Sequence, residues 1–511
     1  MFKKLLSVGG FTLLSRITGF VRDVLMAAVL GHGPLSDAFV GIAFKFPNYF
    51  RAVFGEGTLN PAFLPRYAAL NARGEKAAAA RFADDVYAWQ MVIQVVLLAL
   101  AMVGMPAIVR LLSGDEYAGD PQTLAVAVSL SRITFPYLLM TVVAVQLTAM
   151  LNADDKFWAG AAWSNFLNLT MIGALFLSPM FPNAAYAVAW GVLAGGVLQW
   201  VFIVWAAARD GLRLRWHRPR WTPEIKEFFL AVGAVTIGTA SITLSPFIDT
   251  YLAFWIGKGS ATALYYGDRI NQLPLGVLGI ALGTVLLPDM SNRLAKGDVA
   301  GSDAAQNRAG VLALLLALPF VFVFLAIPDT IMRAIFAHGA FNAAAAGEAA
   351  VALMAYGVGL PAMVLVRIAA STFYARHDTA TPARCTVTSI LANIAIKLVL
   401  VLGLGWGIAG IALGTALGAW VNVARLVWFG RKTKLLHLQP AFRRALWPVV
   451  VAALATGAGA LAGVRLVGHF LHWHSSWQDL AALAAAGLIG AIAYGVAIAV
   501  FRHRLPLARR A

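Results

Sequence analysis

Long apolar runs dominate the chain, each about 20 residues long and separated from the next by a shorter polar segment. An apolar α-helix of this length crosses the hydrocarbon core of a bilayer. The pattern therefore predicts an all-α membrane protein with about fourteen transmembrane helices. The predicted spans are 5–30, 36–56, 84–112, 122–151, 159–179, 184–207, 227–256, 262–291, 306–327, 349–374, 384–403, 406–429, 445–468 and 478–501.

The first run imitates a signal peptide, but it is too long for one and carries Arg16, Arg22 and Asp23. No small-residue cleavage site follows it, so we expect an uncleaved first helix. Lys and Arg then concentrate in alternate loops, and intervening loops such as 31–36 and 178–183 contain few of them. By the positive-inside rule, both termini are predicted to be cytoplasmic.

An internal repeat divides the chain. The matching parts are 64–75 with 287–298, Pro136 with Pro361, Asn168 with Asn393, and 192–201 with 412–421. Each copy holds six predicted spans, which is typical of transporters with two parallel, pseudo-symmetric lobes and a site between them. We predict an N-terminal lobe over 1–220, a C-terminal lobe over 221–435, and two added helices over 436–511. Chance similarity among apolar helices is the alternative, and the match at 64–75 lies partly in a polar loop.

Composition agrees with a membrane protein: 60% of the 511 residues are hydrophobic and 12% are charged, against about 25% charged in soluble domains. The formal net charge is +17, and most of the excess lies in loops between apolar spans. The basic residues therefore indicate orientation in the membrane and argue against nucleic acid as a partner. Cys385 is the single cysteine, which excludes an internal disulfide and a cysteine-based metal site.

Charged residues inside the spans are candidates for function, because each costs about 2.5–3.5 kcal/mol at a helix centre. On helical wheels they form polar stripes about 100–140° wide on the first, second and eighth spans, although Pro47 and Pro274 are expected to bend two of these helices. The candidate substrate-binding residues are Arg16, Arg22, Asp23, Asp37, Lys45, Asn48, Arg51, Glu56, Asp268 and Arg269. If the stripes face each other, they line a hydrated cavity whose excess of Arg suits a phosphate group. The alternatives are salt bridges that lock the lobes, or helix ends whose charges reach the interface.

Two further polar positions occur in apolar helices, Lys397 in the eleventh span and Asp249 in the seventh. A pair between them could couple transport to a proton or an ion, or could be a static buried pair.

Several other patterns predict structure rather than chemistry. The glycines at 405–410 match a dinucleotide-binding fingerprint, but no strand precedes them. Gly410, Gly414 and Gly418, spaced by four residues, predict close helix packing. Histidines between the last two spans lie beside tryptophans, as in an interfacial belt rather than a metal site. They are His469, His472 and His474.

Several segments together resemble the MurJ (MviN) family of lipid II flippases, within the MOP exporter superfamily, and the similarity covers essentially the whole chain. They are 15–23 (SRITGFVRD), 36–39 (SDAF), 44–51 (FKFPNYFR), 54–57 (FGEG), 265–269 (YYGDR), 273–279 (LPLGVLG), 373–378 (FYARHD) and 381–382 (TP).

The resemblance implies a transporter rather than an enzyme, in the bacterial cytoplasmic (inner) membrane. It implies two six-helix lobes, with two terminal helices that form a groove for a lipid tail. The implied function is to move lipid II, an undecaprenyl-pyrophosphate-linked peptidoglycan precursor, from the inner to the outer leaflet by alternating access. The implied essential cavity residues are Arg16, Arg22, Asp23, Arg51 and Arg269, with Asp37, Lys45, Glu56 and Asp268 around them. Lipid II and membrane lipids are the expected partners, and cell-wall synthesis proteins are candidate ones.

This chain departs from the family pattern at two positions. Gln272 replaces an acidic residue that often follows the Asp-Arg pair of the eighth helix. Lys397 occupies what looks like an acidic sodium-ligand position, and an ammonium beside Asp249 could replace the ion. We therefore expect no cofactor and no sodium site, and the membrane potential is a candidate energy source.

Three alternatives stay open at this point. One is a flippase for another polyprenyl-linked glycan, such as an O-antigen precursor. Another is an antiporter of the same fold, which would need an acidic cavity. The third is a non-transporting scaffold for cell-wall enzymes.

Overall fold

The computed structural model describes residues 2–470 and 476–505. Within these ranges, the side chains at 2–7, 54, 56, 115–118, 234, 237–244, 277–285 and 476 lie outside the description. The described residues are helices and short connections, and they form two compact units, Met1–Thr262 and Ala263–Ala511.

Unit 1 contains eleven α-helices and the first turn of a twelfth. They are α1 (Phe2–Leu30), α2 (Pro34–Ser36), α3 (Lys45–Phe50), α4 (Leu59–Ala72), α5 (Lys76–Ala118), α6 (Pro121–Thr134), α7 (Tyr137–Ala153), α8 (Trp158–Ala162), α9 (Ser164–Phe176), α10 (Ala184–Arg209), α11 (Pro223–Ile256) and the start of α12 (Ser260–Ala295). Two π-helical segments, Asp37–Ala43 and Arg51–Glu56, flank α3, and a 3₁₀ turn covers Ser178–Met180.

Unit 2 contains the remainder of α12 and the helices that follow it. They are α13 (Val299–Ala326), α14 (Pro328–Phe336), α15 (Ala343–Gly357), α16 (Leu360–Tyr374), α17 (Ala380–Leu398), α18 (Gly407–Lys432), α19 (Pro440–Phe470) and α20 (Ser476–Phe501). A π-helical segment covers Val399–Gly403, and a 3₁₀ turn covers Arg502–Arg504.

Among the described residues, nine helical stretches are long and apolar enough to cross a membrane. They are Lys76–Gly114, Pro121–Ala153, Ala184–Arg209, Val299–Ala326, Ala343–Tyr374, Ala380–Gly403, Gly407–Lys432, Pro440–Phe470 and Trp477–Arg504. The other predicted spans are also helical, in α1, in the segments from Pro34 to Glu56, in α8 with α9, in α11 and in α12. The first, second and eighth of the predicted spans carry the charged stripes, which lower their apolar character.

Each unit has its own apolar interior. In unit 1, the Phe63 ring stacks on Phe82 with ring centroids 5.5 Å apart, inside a cluster of buried side chains from α4, α5, α7 and α10. In unit 2, buried side chains of α12, α13 and α16 form a second cluster around Met290. Large apolar side chains also lie on the outside, such as Val103, which is 81% exposed. Such a surface is stable only against lipid, so it fits the predicted membrane spans.

Glycines permit close helix packing in both units. A Cβ atom at Gly195 of α10 would lie 3.0 Å from Leu167 Cα of α9. A Cβ atom at Gly418 of α18 would lie 2.5 Å from Asn393 Cβ of α17, and one at Gly414 would lie 2.3 Å from Lys397 Cγ. The packing predicted for the glycines of α18 is confirmed, because any larger residue there would push the two helices apart.

Candidate functional site

The polar stripe of α1 runs from an exposed residue to a buried one. Arg16 is exposed, whereas Arg22 is 6% exposed and Asp23 is 0% exposed. The guanidinium of Arg22 donates to Asp23 Oδ1 from Nε at 3.0 Å and from Nη2 at 2.6 Å. It also lies over the Phe44 ring, with Cζ 5.2 Å from the centroid. An arginine buried in this way has a fixed plane, so its remaining donors have fixed directions.

A residue on α9 completes the orientation of Arg22. Arg22 Nη1 donates to Asn168 Oδ1 at 2.9 Å. The amide nitrogen of Asn168 donates in turn to the Ser15 carbonyl at 3.0 Å and to Thr18 Oγ1 at 3.1 Å. The close approach of α9 to α10 at Gly195 holds α9 in the position that these bonds require.

The second predicted span differs from the expected α-helix. The bonds from Phe44 N to Phe39 O and from Gly57 N to Ala52 O join residues five apart, which is the π-helical pattern. The helical wheel drawn at 100° per residue is therefore wrong for this stretch, because a π-helix has more residues per turn. Alternating α and π geometry changes the direction in which each charged side chain leaves the helix axis.

Asp37 is placed at the start of this span and is 0% exposed. Its Oδ1 atom accepts from Thr262 N at 2.8 Å and from Thr262 Oγ1 at 2.6 Å, and its Oδ2 atom accepts from Gly259 N. The carboxylate thus caps the N-terminus of α12, where unsatisfied N–H groups and the helix dipole favour a negative charge. Gly259 has φ +90°, and a Cβ atom there would lie 2.0 Å from the His32 ring, so this turn requires glycine.

The later charges of this span are less buried. Lys45, Asn48 and Arg51 are half-buried. Asn48 Nδ2 donates to the Phe44 carbonyl at 2.7 Å, and Asn48 Oδ1 accepts from Arg51 Nε at 3.3 Å. Asn48 therefore ties the Arg51 guanidinium to the helix backbone. The side chain of Glu56 lies outside the described residues.

In unit 2, the stripe of α12 is set by the packing of its opposite face. Tyr266 is 0% exposed and its ring lies 4.8 Å from that of Phe336. A Cβ atom at Gly267 would lie 2.8 Å from the Ala349 carbonyl of α15. Asp268 and Arg269 are half-buried, and Asp268 Oδ2 accepts from Gln272 Nε2. Gln272 is thus a hydrogen-bond partner of the candidate carboxylate.

The candidate coupling residues lie in different units. Asp249 is half-buried in α11 of unit 1, and Lys397 is 0% exposed in α17 of unit 2. The methylene chain of Lys397 packs where Gly414 leaves room. Among the described residues, no group of three or more His, Cys, Asp or Glu side chains could hold a metal ion. His469 lies edge-on to Phe470, and His472 and His474 lie outside the described residues.

Sequence reasoning did not include Asn168 or Thr262 in the site. One feature of the sequence could have identified Asn168, because it matches Asn393 in the internal repeat. A polar residue at the same place in two apolar helices is a candidate for function. Thr262 has no such feature, because its part in capping α12 depends on a tertiary contact with Asp37.

The chain is similar to known transport proteins over most of its length. Residues 26–493 match the family model "Lipid II flippase MurJ". A probable lipid II flippase MurJ of Rhizobium tropici is 36% identical over 466 residues, covering 89% of this chain and 86% of that protein. A solved structure of a lipid II flippase MurJ in an inward closed conformation is similar with a TM-score of 0.79 at 23% identity, covering 97% of this chain and 99% of that one. A multidrug resistance MATE transporter of the MOP superfamily, in an inward-facing conformation, has a TM-score of 0.67 at 14% identity, covering 84% and 98%.

Proposed function

The chain belongs to the MurJ family of lipid II flippases, and we propose that the cations on α1 and on the second span bind the pyrophosphate of lipid II during transport. It is a multi-pass membrane transporter of peptidoglycan synthesis rather than an enzyme, and its substrate is lipid II.

One observation carries the assignment: the guanidinium of Arg22 is buried and held in a fixed orientation by Asp23 and Asn168, in the stripe that also contains the exposed Arg16. Asp23 accepts two hydrogen bonds from Arg22, and Asp37 accepts bonds from the N-terminus of α12. Arg16 is exposed, and Lys45 and Arg51 are half-buried. These three cations are the groups that we propose to contact the pyrophosphate, because guanidinium groups donate paired bonds to phosphate and an ammonium adds a further positive charge.

Unit 2 contributes a further candidate cation, Arg269 of α12. Its neighbour Asp268 accepts a hydrogen bond from Gln272. The repeat supports alternating access between lobes over 1–220 and 221–435, while the helices over 436–511 form a groove for the polyprenyl tail. The distribution of Lys and Arg supports an orientation in the cytoplasmic membrane with both termini in the cytoplasm.

The membrane potential is the energy source that we propose for transport. A charge moved across the membrane gains about 2.3 kcal/mol per 100 mV, which is enough to bias a transport cycle. Lys397 is fully buried, and we propose that its ammonium takes the place of a coupling ion. We therefore expect transport to depend on the membrane potential, and replacing sodium by potassium to leave the rate unchanged.

The test is lipid II translocation in proteoliposomes, comparing Arg16→Gln and Arg51→Gln with the natural chain at equal protein content. Each variant is expected to lose at least about tenfold in rate, because a hydrogen bond to a charged group contributes about 1.5–3 kcal/mol. Arg73→Gln is the matched control, since Arg73 is exposed outside the predicted spans. Near-natural rates in both cavity variants would overturn the assignment of the site.

A further inference from the structure

A second basic site lies where α19 begins and α20 ends. A cavity of about 460 Å³ there is lined by Ala441, Arg444, Trp447, His503, Arg504 and Leu505. The first three belong to α19, and the others belong to the turn after α20 and the residue that follows it. None of these residues is among those proposed to bind the pyrophosphate of lipid II.

One buried leucine, Leu505, holds the two sides of this cavity together. Leu505 is 7% exposed and packs in an apolar cluster with Ala445 and Val449 of α19. That anchor holds the preceding turn against α19, so that Arg504 lies over the Trp447 ring with Cζ 5.4 Å from the centroid. The Phe501 ring supports Trp447 edge-on, with centroids 4.8 Å apart. The guanidinium of Arg504 is therefore positioned by packing rather than by an acidic partner.

The charge around the cavity is strongly one-sided. Residues 436–511 contain seven arginines and one acidic residue, Asp479. Asp479 lies in the first turn of α20, at the other end of that helix from the cavity, and pairs with Arg333. Arg444 and Arg504 are exposed and form no ion pair with any residue in the described part of the chain. The cavity thus offers two guanidinium groups to an anion.

We propose that this cavity binds the phosphodiester headgroup of an anionic bilayer phospholipid. Basic pockets at the ends of transmembrane helices bind such headgroups, and tryptophan favours the depth at which headgroups lie. Trp447, Val450 and Leu454 follow each other on one face of α19 and are 45%, 38% and 49% exposed. This apolar stripe leads from the cavity along the helix and gives the acyl chains a surface to lie on. Free phosphate shares the headgroup's oxygen atoms but cannot use the stripe.

The cavity residues differ from those proposed to bind the pyrophosphate of lipid II, and the test does not use transport. The purified full-length protein in detergent is titrated with phosphatidylglycerol, and bound lipid is counted by native mass spectrometry. The double variant Arg444→Gln with Arg504→Gln is expected to bind this lipid about 30-fold more weakly, since each arginine near the headgroups contributes about 1 kcal/mol. Arg443→Gln with Arg502→Gln is the matched control, because it removes the same charge from neighbours that do not line the cavity. A loss of less than about threefold is expected for this control, because Arg443 and Arg502 do not line the cavity and salt screens their field at the headgroup.

Three other results of this titration would overturn the proposal. Equal weakening in both double variants would overturn the site in favour of a diffuse positive field. Binding of phosphatidylcholine as tight as that of phosphatidylglycerol would overturn recognition of the anionic headgroup. Displacement of the lipid by equimolar inorganic phosphate would assign the cavity to a free anion instead. If the first double variant does not fold, Arg504→Lys replaces it. That variant keeps the charge but loses the planar contact with Trp447, so it should bind several-fold more weakly than the natural chain.

Discussion

The side-chain oxygen of Asn168 lies 2.9 Å from Nη1 of Arg22, and this bond joins α9 to the charged stripe of α1. Both polar atoms of the Asn168 amide form hydrogen bonds, because its nitrogen donates to the Ser15 carbonyl and to Thr18 Oγ1 on the same helix. An amide can accept from an arginine and donate to a helix at the same time, whereas a carboxylate can only accept. Asn168 therefore positions Arg22 without neutralising it.

Asn168→Ala is expected to destabilise the protein by about 1.5–3 kcal/mol, the typical value of a hydrogen bond to a charged group. It should also slow lipid II translocation, because Asn168 would no longer hold the Arg22 guanidinium in its orientation. Thermal unfolding in detergent and translocation in proteoliposomes measure the two effects. Asn292→Ala, which removes an exposed amide of α12, should change neither. Unchanged translocation in the Asn168 variant would show that the bond between Arg22 and Asn168 is not needed for transport.

Asp37→Asn is expected to loosen the first turn of α12. The new amide can still accept from Thr262, but its NH₂ group would face the N–H of Gly259, so two donors would meet. The loss should be about 1–3 kcal/mol, the cost of a buried group left without a partner. Hydrogen exchange at residues 260–264 measures it and should quicken, while exchange in α18 stays the same. Equal protection in both proteins would show that the cap does not depend on the charge.

Gly418→Ala is expected to destabilise the pair of helices α17 and α18 by about 1–3 kcal/mol through overpacking. The added methyl group would lie 2.5 Å from Asn393 Cβ and 2.8 Å from Asn393 Nδ2, which leaves it no room. Gly487→Ala in α20 is the control, since nothing lies within 4 Å of a Cβ atom there. Alanine should stabilise that position by about 0.5–1 kcal/mol, because glycine is unfavourable inside a helix. Thermal unfolding of both variants measures the contrast, and equal effects would contradict it.

Much of the fold followed from the sequence, because lipid imposes a strict pattern on it. Apolar runs of sufficient length must be helices in a bilayer, and the glycine spacing of α18 predicted its packing against α17. Charged residues in apolar helices stood out for the same reason. The π-helical segments on either side of α3 were not predictable, since the hydrophobic pattern does not separate α from π geometry over so few residues. The bond from Arg22 to Asn168 and the bond from Thr262 to Asp37 join residues 146 and 225 positions apart in the chain, so the sequence pattern could not reveal them.

Asp378 makes the start of α17 sensitive to acid. Its Oδ1 atom accepts from the Thr381 backbone N–H at 2.9 Å, and bonds from the Thr381 backbone and side chain lower the pKa of this carboxyl. A group whose pKa is lower in the folded state stabilises that state above its unfolded pKa of about 3.9, and the effect is lost as the pH falls through the folded pKa. Asp378→Asn should therefore lower the unfolding temperature at pH 7, and the difference in unfolding temperature from the natural chain should shrink as the pH falls below the unfolded pKa of about 3.9. Unfolding scans in detergent from pH 7 to pH 3 test this. Glu75→Gln, at an exposed loop position, serves as the control, and a gap that stays constant with pH would rule out the charge of Asp378 as its cause.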